Sequence, residues 1–281
     1  MGEIVFAAKV THVPTMFVSE QPGPMQGCRR EAIESQRRMG EMARAAGADT
    51  YLVLDTHWLV NAGYHINNNE RHRDEFTSHE FPQFIEHLDY DYPGNSALGD
   101  AIAHEANALG IHTRAHRVPT LNLEYGTIVP MRYMNDGTQK VVSVAAWCLK
   151  AEVDESRTFG EAIRRAVAAS DGKVALIASG SLSHKIWDNR VVEQRTFEIS
   201  SEFNRLVDLM VLDLWQAGRT QEFLAMLPDY RRFCQGEGGM HDTIMLFGAL
   251  GWDEYRGKGT VMCPYFPSSG TGQTNVVFSV P

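Results

Sequence analysis

The chain has 281 residues, of which 43% are hydrophobic and 22% are charged. This composition is typical of a folded globular domain and excludes a disordered chain. The formal net charge is −9. It argues against a general nucleic-acid-binding protein, because such a protein needs a basic face to neutralise phosphates. It equally argues against binding to an anionic membrane surface.

Short apolar runs alternate with helical patterns along the whole chain. In chain order, strands are predicted at residues 4–10, 50–54, 111–116, 140–146, 174–178, 261–266 and 275–280. Helices are predicted at residues 32–46, 97–109, 158–169, 199–217 and 242–250. Strands separated by helices of about ten or more residues favour βαβ units. We therefore predict one α/β domain over residues 1–281, with a largely parallel or mixed central sheet flanked by helices.

Two of the predicted helices carry more detailed expectations. Thr158 and Glu161 have the spacing of a capping box, which would begin the helix that ends near Ala169. In the next helix, which would stop near Gly218, four apolar residues recur at helical spacing: Ile199, Phe203, Leu206 and Met210. They are predicted to form its inner face.

Two segments are predicted as loops near the rim of the sheet. Residues 67–94 are polar, rich in aromatic and histidine residues, and poor in periodicity. Long ordered loops of this kind often border active sites, although they also form oligomer contacts. Residues 268–273 are glycine-rich but match no phosphate-binding motif, so they are predicted as a turn whose backbone amides could line a pocket.

The four cysteines, Cys28, Cys148, Cys234 and Cys263, are far apart in the sequence and form no CxxC pair. They are predicted to be free thiols rather than a structural zinc site. The N-terminus has no signal-peptide pattern, and no apolar run approaches the ~18 residues of a membrane helix. A cytoplasmic protein is expected from these features.

Histidines follow three of the predicted strands. His12 follows the first strand, His57 follows the second, and His184 follows the strand at residues 174–178. A single histidine of this kind is more often a hydrogen-bonded structural residue. Sites in open α/β sheets gather at the carboxyl ends of the strands, however, and three histidines in equivalent positions predict a metal site there.

A divalent metal held by imidazoles usually needs a carboxylate as well. The best candidate is Glu237, because the glycines on both sides let the backbone approach a site closely. Two histidines and one carboxylate form the facial arrangement of non-heme Fe(II) oxygenases. A catalytic zinc site uses the same ligand types, so the ligands alone leave the metal open.

The sequence resembles the class III extradiol ring-cleavage dioxygenases, the protocatechuate 4,5-dioxygenase superfamily. Five segments carry the resemblance, in family order over nearly the whole chain: residues 9–14 (KVTHVP), 55–61 (DTHWLVN), 123–130 (LEYGTIVP), 178–184 (ASGSLSH) and 236–238 (GEG). Residues 55–61, 131–135 and 266–273 point within the superfamily to the branch that cleaves 3,4-dihydroxyphenylacetate.

The resemblance implies that His12, His57 and Glu237 bind Fe(II), with Mn(II) as a possible substitute. It implies that His184 is the catalytic acid/base, that a catechol and O₂ are the substrates, and that the protein is a homo-oligomer. One position departs from the family. Many members have a second catalytic histidine where this chain has Tyr125. Tyr125 is therefore expected to hydrogen-bond the substrate or an oxygenated intermediate, and the mechanism with two histidines does not carry over.

A carboxylated catechol needs a local cation or hydrogen-bond donor, because the protein is acidic overall. Arg132, close after the Tyr125 segment, is one substrate-binding candidate, and His116, nearby in the sequence, is the other. Three alternatives stay open at this point. They are the same chemistry on another catechol or an aminophenol, a zinc-dependent hydrolase with the same ligands, and a non-catalytic protein on this fold.

Overall fold

An eight-stranded mixed sheet forms the centre of the molecule, seen here in a computed structural model that describes residues 1–281. Its strand order is β6-β3-β7-β2-β8-β1-β12-β9. Two hairpins, β4–β5 and β10–β11, lie outside it. The strands are β1 Glu3–Val10, β2 Thr50–Val60, β3 Tyr64–Asn67, β4 Arg71–Phe76, β5 Leu88–Pro93, β6 Thr113–His116, β7 Lys140–Cys148, β8 Lys173–Ser179, β9 Gly259–Val261, β10 Phe266–Ser268, β11 Thr271–Gln273 and β12 Val276–Phe278.

Eight α-helices accompany the sheet, and the longest of them has 17 residues. They are α1 Thr15–Glu20, α2 Arg30–Ala45, α3 Ser96–Ala108, α4 Tyr125–Met134, α5 Val153–Ala169, α6 Glu202–Gln216, α7 Thr220–Cys234 and α8 His241–Leu250. Short 3₁₀ helices occupy Glu237–Met240 and Trp252–Glu254. None of the helices combines the length and the apolar character that crossing a bilayer requires.

The four central strands, β7, β2, β8 and β1, are parallel to one another, and antiparallel pairs occur only towards the sheet edges. Central parallel strands are buried on both faces because the crossover helices cover both, and successive side chains point to opposite sides. In β2, Leu52 and Leu54 belong to one hydrophobic core, whereas Tyr51 and Val53 belong to the other. The predicted α/β domain with a mixed sheet flanked by helices is confirmed.

Most of the predicted elements are present with small shifts of their ends, but the capping box at Thr158 is wrong. The helix begins earlier, at Val153, and Glu152 and Glu155 form its capping box. Thr158 lies inside the helix, where its hydroxyl donates to the carbonyl of Asp154 at 2.7 Å. Threonine inside a helix also makes this hydrogen bond to the carbonyl four residues before it, so spacing alone did not separate the two positions.

The predicted inner face of α6 is also wrong. Phe203, Leu206 and Met210 are exposed, with 56%, 55% and 44% of their surface accessible. The buried side of the helix instead carries Asp208 and Trp215 among others. The helix has apolar residues on two stripes, and a polar residue, Asp208, occupies the stripe that packs inward. Helical periodicity therefore identified the helix but not its orientation.

The segment predicted as a loop at residues 67–94 contains the β4–β5 hairpin, in which Arg71 pairs with Pro93 and Phe76 with Leu88. Residues 77–87 connect the two strands, and this connection reaches a cavity at the end of the central sheet. The predicted turn at residues 268–273 is likewise a two-stranded hairpin, β10–β11, that lines the same cavity. Helices α1, α4 and α7 were not predicted.

Candidate metal centre

The ends of neighbouring parallel strands bring the predicted ligands together. His12 follows β1 by two residues, and His57 lies in β2 at an irregularity in its pairing with β7. Glu237 comes from the short 3₁₀ helix that follows α7. Because β1 and β2 both pair in parallel with β8, their carboxyl ends meet at one edge of the sheet.

One ligand atom from each of His12, His57 and Glu237 lies within 4.8 Å of the other two. The Nε2 atom of His12 is 3.1 Å from Oε1 of Glu237, and Nε2 of His57 is 3.5 Å from the same oxygen. His12 and Glu237 are buried, whereas His57 is partly accessible from a cavity. Two imidazoles and one carboxylate that converge in this way suit Fe(II), Mn(II) or Zn(II).

Hydrogen bonds hold His12 in the orientation that a metal ligand needs. Its Nδ1 lies 2.9 Å from Oγ of Ser179, and that hydroxyl donates its own proton to the carbonyl of Gly126. Ser179 can therefore only accept from His12, so Nδ1 carries the hydrogen. In its neutral form the ring therefore presents the Nε2 lone pair to the site, which is the arrangement that an outer hydrogen bond gives metal-binding histidines.

Glu237 is ionised and held on both of its carboxylate oxygens. Thr56 Oγ1 lies 2.7 Å from Oε1, and the backbone N–H of Ser181 donates to Oε2. Burial acts to raise the pKa of the Glu237 carboxyl, but the imidazoles of His12 and His184 outweigh it and hold that pKa well below its usual range. Burial acts to lower the pKa of His12, but the carboxylate of Glu237 outweighs burial and raises that pKa. A metal ion that binds here would therefore displace a proton from this pair.

The backbone around Glu237 requires glycine. Gly238 and Gly239 have φ angles of +55° and +66°, in the left-handed region that side chains with a Cβ rarely adopt. A Cβ on Gly238 would also lie 3.0 Å from the carbonyl oxygen of Ala146. The glycines on the C-terminal side of Glu237 therefore allow the segment to approach the end of β7 closely.

His184 lies beside the triad but is held differently. Its Nδ1 is 2.8 Å from Oγ of Ser181 and 3.5 Å from Oε2 of Glu237, and its Nε2 makes no hydrogen bond within the protein. Burial is the main cause that lowers the pKa of His184 below 6.5, so the ring is neutral at pH 7. A neutral imidazole with one free nitrogen at the edge of a cavity is suited to accept a proton.

Tyr125 packs against a candidate ligand and contacts a residue that the sequence did not single out. Its ring centroid is 3.7 Å from that of His57, and its hydroxyl donates to Oε2 of Glu80 at 3.2 Å. Burial, and next the carboxylate of Glu80, raise the pKa of Tyr125 far above its ordinary value, so the phenol stays protonated. Glu80 belongs to the connection between β4 and β5, and only the aromatic-rich composition of that segment pointed to it.

The structure does not bring Arg132 or His116 to the metal centre. The Nε atom of Arg132 is 2.9 Å from Oε2 of Glu20, and the guanidinium lies 5.4 Å from the ring centroid of Phe17. His116 stands near the sheet edge, where its Nε2 is 2.8 Å from Nδ1 of His65. Neither residue lines a cavity that contains the triad.

Two adjoining cavities meet beside His57 and Glu237, and both are lined by His57, Glu80, His184, Ile186 and Glu237. The first has a volume of about 350 Å³ and is the one that also contacts His12 and Tyr125. Its apolar wall consists of Val13, Pro14, Phe81, Phe84, Ile186 and Val192. The second, of about 610 Å³, is more open to solvent and contains Trp147 and Arg231. A small aromatic molecule in the first cavity would touch the triad, His184 and Tyr125 at once.

Two known proteins are similar to this chain over most of its length. It is 47% identical over 267 residues to 3,4-dihydroxyphenylacetate 2,3-dioxygenase from Escherichia coli, covering 95% of this chain and 97% of that protein. It is 26% identical over 247 residues to the 2-aminophenol 1,6-dioxygenase beta subunit of a Pseudomonas species, covering 82% and 79% of the two chains.

A solved structure shares the fold at low sequence identity. The crystal structure of an uncharacterized protein from Escherichia coli K12 superposes with a TM-score of 0.62 at 15% identity, over 97% of this chain and 98% of that one. Residues 6–279 match the family described as the catalytic LigB subunit of aromatic ring-opening dioxygenase. With that match and the 47% identical relative, the chain belongs to the LigB family of aromatic ring-opening dioxygenases.

Proposed function

We propose that this chain catalyses the Fe(II)-dependent extradiol cleavage of 3,4-dihydroxyphenylacetate by O₂. The product is 5-carboxymethyl-2-hydroxymuconate semialdehyde, which contains all atoms of the catechol and both atoms of O₂. No external reductant is needed, because the four electrons that reduce O₂ come from the ring. The relative with 47% identity carries this activity in its name, and family membership supplies the ring-opening chemistry.

His12, His57 and Glu237 would hold the metal ion. Bound there, Fe(II) would supply a Lewis acid with open positions at which a catechol and O₂ meet, which is the use that this ligand set serves in non-heme oxygenases. The protein contributes a preset geometry, because Ser179 fixes His12 and Thr56 with Ser181 fixes Glu237. Little rearrangement is then needed when the ion enters.

His184 acts in this proposal as the acid/base. Its ring is neutral at pH 7. With the hydrogen on Nδ1, which faces Ser181 and the carboxylate of Glu237, Nε2 is the nitrogen that accepts a proton from a catechol hydroxyl. The same nitrogen returns the proton later in the reaction, when the oxygen–oxygen bond breaks. General acid/base assistance of this kind contributes ~10²–10⁴-fold to a rate.

Tyr125 acts as a hydrogen-bond donor rather than as a second base. Its phenol stays protonated, and Glu80 at 3.2 Å accepts its hydrogen bond in the absence of substrate. A substrate oxygen that replaces Glu80 as acceptor would be oriented by this donor without taking the proton. The departure from the family histidine therefore leaves one titrating base in the site, His184, and one donor, Tyr125.

The observation that carries the proposal is the convergence of the triad, His184 and Tyr125 on one cavity of about 350 Å³ with an apolar wall. A cavity of this size suits a ligand with a single aromatic ring, because its volume is near the lower end of the range of about 300 to 1,000 Å³ that small-molecule pockets span. Phe81 and Phe84 provide the faces against which such a ring can pack.

Oxygen uptake tests the proposal directly. Protein loaded anaerobically with Fe(II) receives 3,4-dihydroxyphenylacetate and then O₂, with product followed by its yellow colour. One O₂ consumed per ring-opened product is the expected result. Uptake with 2-aminophenol or protocatechuate alone would keep the chemistry and replace the substrate. Hydrolase activity with zinc, and no uptake with Fe(II) or Mn(II), would overturn the proposal.

We also propose that the enzyme is a cytoplasmic homo-oligomer. All four cysteines are free, as expected in a reducing compartment. The exposed apolar residues of α6, Phe203, Leu206 and Met210, are suited to contacts between copies. Light scattering coupled to gel filtration tests the oligomer, and a monomeric mass at micromolar concentration would rule it out.

A further inference from the structure

The proposed substrate carries a carboxylate, and the inference below rests on that proposed function. The cavity of about 350 Å³ contains no lysine or arginine side chain. Arg132 lies outside it in an ion pair with Glu20. A cation that recognises a carboxylate in this cavity therefore has to act from behind the residues that line it.

Arg29 is a buried cation without an acidic partner. Only 5% of the residue is exposed, its Nη2 is buried with no hydrogen-bond partner, and no carboxylate lies within 4.0 Å of its guanidinium. Burial lowers the pKa of Arg29 to about 10, so it stays charged at neutral pH. An unpaired buried charge is costly to a folded protein, and its retention points to a role with an anion.

Two aromatic rings hold Arg29 in place without neutralising it. The guanidinium carbon lies 4.9 Å from the ring centroid of Phe197 and 4.7 Å from that of Phe266. Cation–π contacts of this kind stabilise the position of the guanidinium and leave its charge available. Phe266 begins β10, so the same hairpin that lines the cavity also packs on Arg29.

Thr15 connects Arg29 to the cavity. Its Oγ1 accepts a hydrogen bond from Nε of Arg29 at 2.9 Å, and the residue lines the cavity of about 350 Å³. The hydroxyl proton of Thr15 makes no hydrogen bond within the protein. It is thus free to donate to a ligand, and a charged donor behind a hydroxyl strengthens the hydrogen bond that the hydroxyl gives.

We propose that Arg29, acting through the hydroxyl of Thr15, recognises the carboxylate of the catechol substrate. Thr15 donates to the carboxylate, and Arg29 is a positioning residue that supplies the positive charge behind it. Arg231 is the competing cation, since it lines the second cavity. The first cavity is favoured because it alone contacts His12 and Tyr125 and has the apolar wall for the ring.

The test compares two catechols that differ in the carboxylate. For wild type and Arg29→Met, kcat/KM is measured with 3,4-dihydroxyphenylacetate and with 4-methylcatechol. The ratio of the two values reports carboxylate recognition and cancels effects on the metal or on folding. We expect Arg29→Met to lower the ratio by ~10- to 100-fold, chiefly through KM, as for loss of a charge-assisted hydrogen bond.

Variants of Thr15 separate the hydroxyl from the shape of the side chain. Thr15→Val removes the hydroxyl at nearly constant volume and is expected to lower the ratio in the same direction as Arg29→Met. Thr15→Ser keeps the hydroxyl and is expected to restore it. Arg132→Met and Arg231→Met are the matched controls, and neither is expected to change the ratio.

Binding without turnover gives a second readout that does not require catalysis. Anaerobic calorimetry compares 4-hydroxyphenylacetate with 4-methylphenol on the metal-loaded protein and on Arg29→Met, or on Thr15→Val if the first variant does not fold. Loss of the carboxylate preference supports the proposal. Equal losses for both ligands, no change, or a loss confined to Arg231→Met would overturn it. Should wild type cleave other catechols but not 3,4-dihydroxyphenylacetate, the proposed function fails while this binding comparison still decides the role of Arg29.

Discussion

The metal side and the outer side of the cavity are built on different parts of the fold. The metal side consists of the ends of parallel strands and the glycine-bounded Glu237 segment, and hydrogen bonds within the protein hold His12 and Glu237 there. The outer side consists of connections and hairpins. There the side chain of Glu80 is 52% exposed and Nη2 of Arg29 has no partner.

The difference indicates that the metal side binds the metal and the outer side recognises the substrate. Ligand side chains that are held by hydrogen bonds within the protein have a preset geometry, which a metal site needs. A side that leaves a charge and a hydroxyl unpaired can gain their hydrogen bonds only from a ligand. Substitutions on the metal side should therefore change metal content, whereas those on the outer side should change substrate preference.

The largest effect is expected from His57→Ala on the metal side. Removal of one of three ligand side chains should abolish metal retention and ring cleavage together. Metal content measured by mass spectrometry after gel filtration, alongside oxygen uptake, checks both. A variant that keeps stoichiometric iron would remove His57 from the triad.

His184→Phe separates chemistry from metal binding on the same side. It should keep the metal, because His184 is outside the triad, and lose ~10²–10⁴-fold in kcat with the proton acceptor gone. Metal analysis and steady-state kinetics on one preparation test this. Iron lost from His184→Phe but retained in His57→Ala would reverse the two assignments.

Ser179→Ala tests whether the hydrogen bond between Ser179 and His12 fixes the orientation of this candidate ligand. Without the acceptor at 2.9 Å, Nδ1 of His12 is no longer held as the protonated nitrogen. Metal affinity should weaken by ~10- to 100-fold, as for other residues that orient metal ligands. Competition with a chelator measures the affinity, and Ser181→Ala, which loses the hydroxyl beside His184 instead, is the control that should keep it.

The sequence predicted the metal side far better than the outer side. Strand ends and flanking glycines singled out three histidines and Glu237, because parallel strands carry residues to a common edge whatever the loops do. The resemblance to the family then assigned His12, His57 and Glu237 as the ligands. Glu80 and Arg29 sit on connections whose paths depend on long-range packing. The same limit explains why closeness to Tyr125 in the sequence did not place Arg132 in the cavity: its side chain forms an ion pair with Glu20 instead.

The loss of stability at acid pH should also differ between a buried histidine near the metal side and an exposed histidine on the outer side. Burial, and then Arg231, lower the pKa of His241 at the start of α8 to about 4, whereas Glu75 raises the pKa of the exposed His87 in the outer connection. His241 is neutral when folded but takes up a proton when unfolded below pH ~6.5, so stability is lost as pH falls. Between pH 7 and 5 the loss should be about 2 kcal/mol.

Denaturant titrations at both pH values measure that loss. His241→Gln should flatten the pH dependence of the unfolding free energy, and His87→Gln should leave it unchanged, because an exposed ion pair contributes little. An unchanged slope in His241→Gln would show that another buried group sets the acid limit.

The smallest effect is expected on the outer side, from Glu80→Gln. The amide can still accept from Tyr125, but without a charge, and Glu80 is half exposed, so kcat should change by only ~2- to 10-fold with metal content unaltered. Tyr125→Phe is the matched variant, since it removes the donor of the same hydrogen bond. If Glu80 acts only through Tyr125, the double variant should be no slower than Tyr125→Phe, because the two residues share one interaction. Oε2 of Glu80 is 3.8 Å from Nδ1 of His57. Loss of iron from Glu80→Gln would therefore show that Glu80 orients this ligand and belongs to the metal side rather than to the outer side.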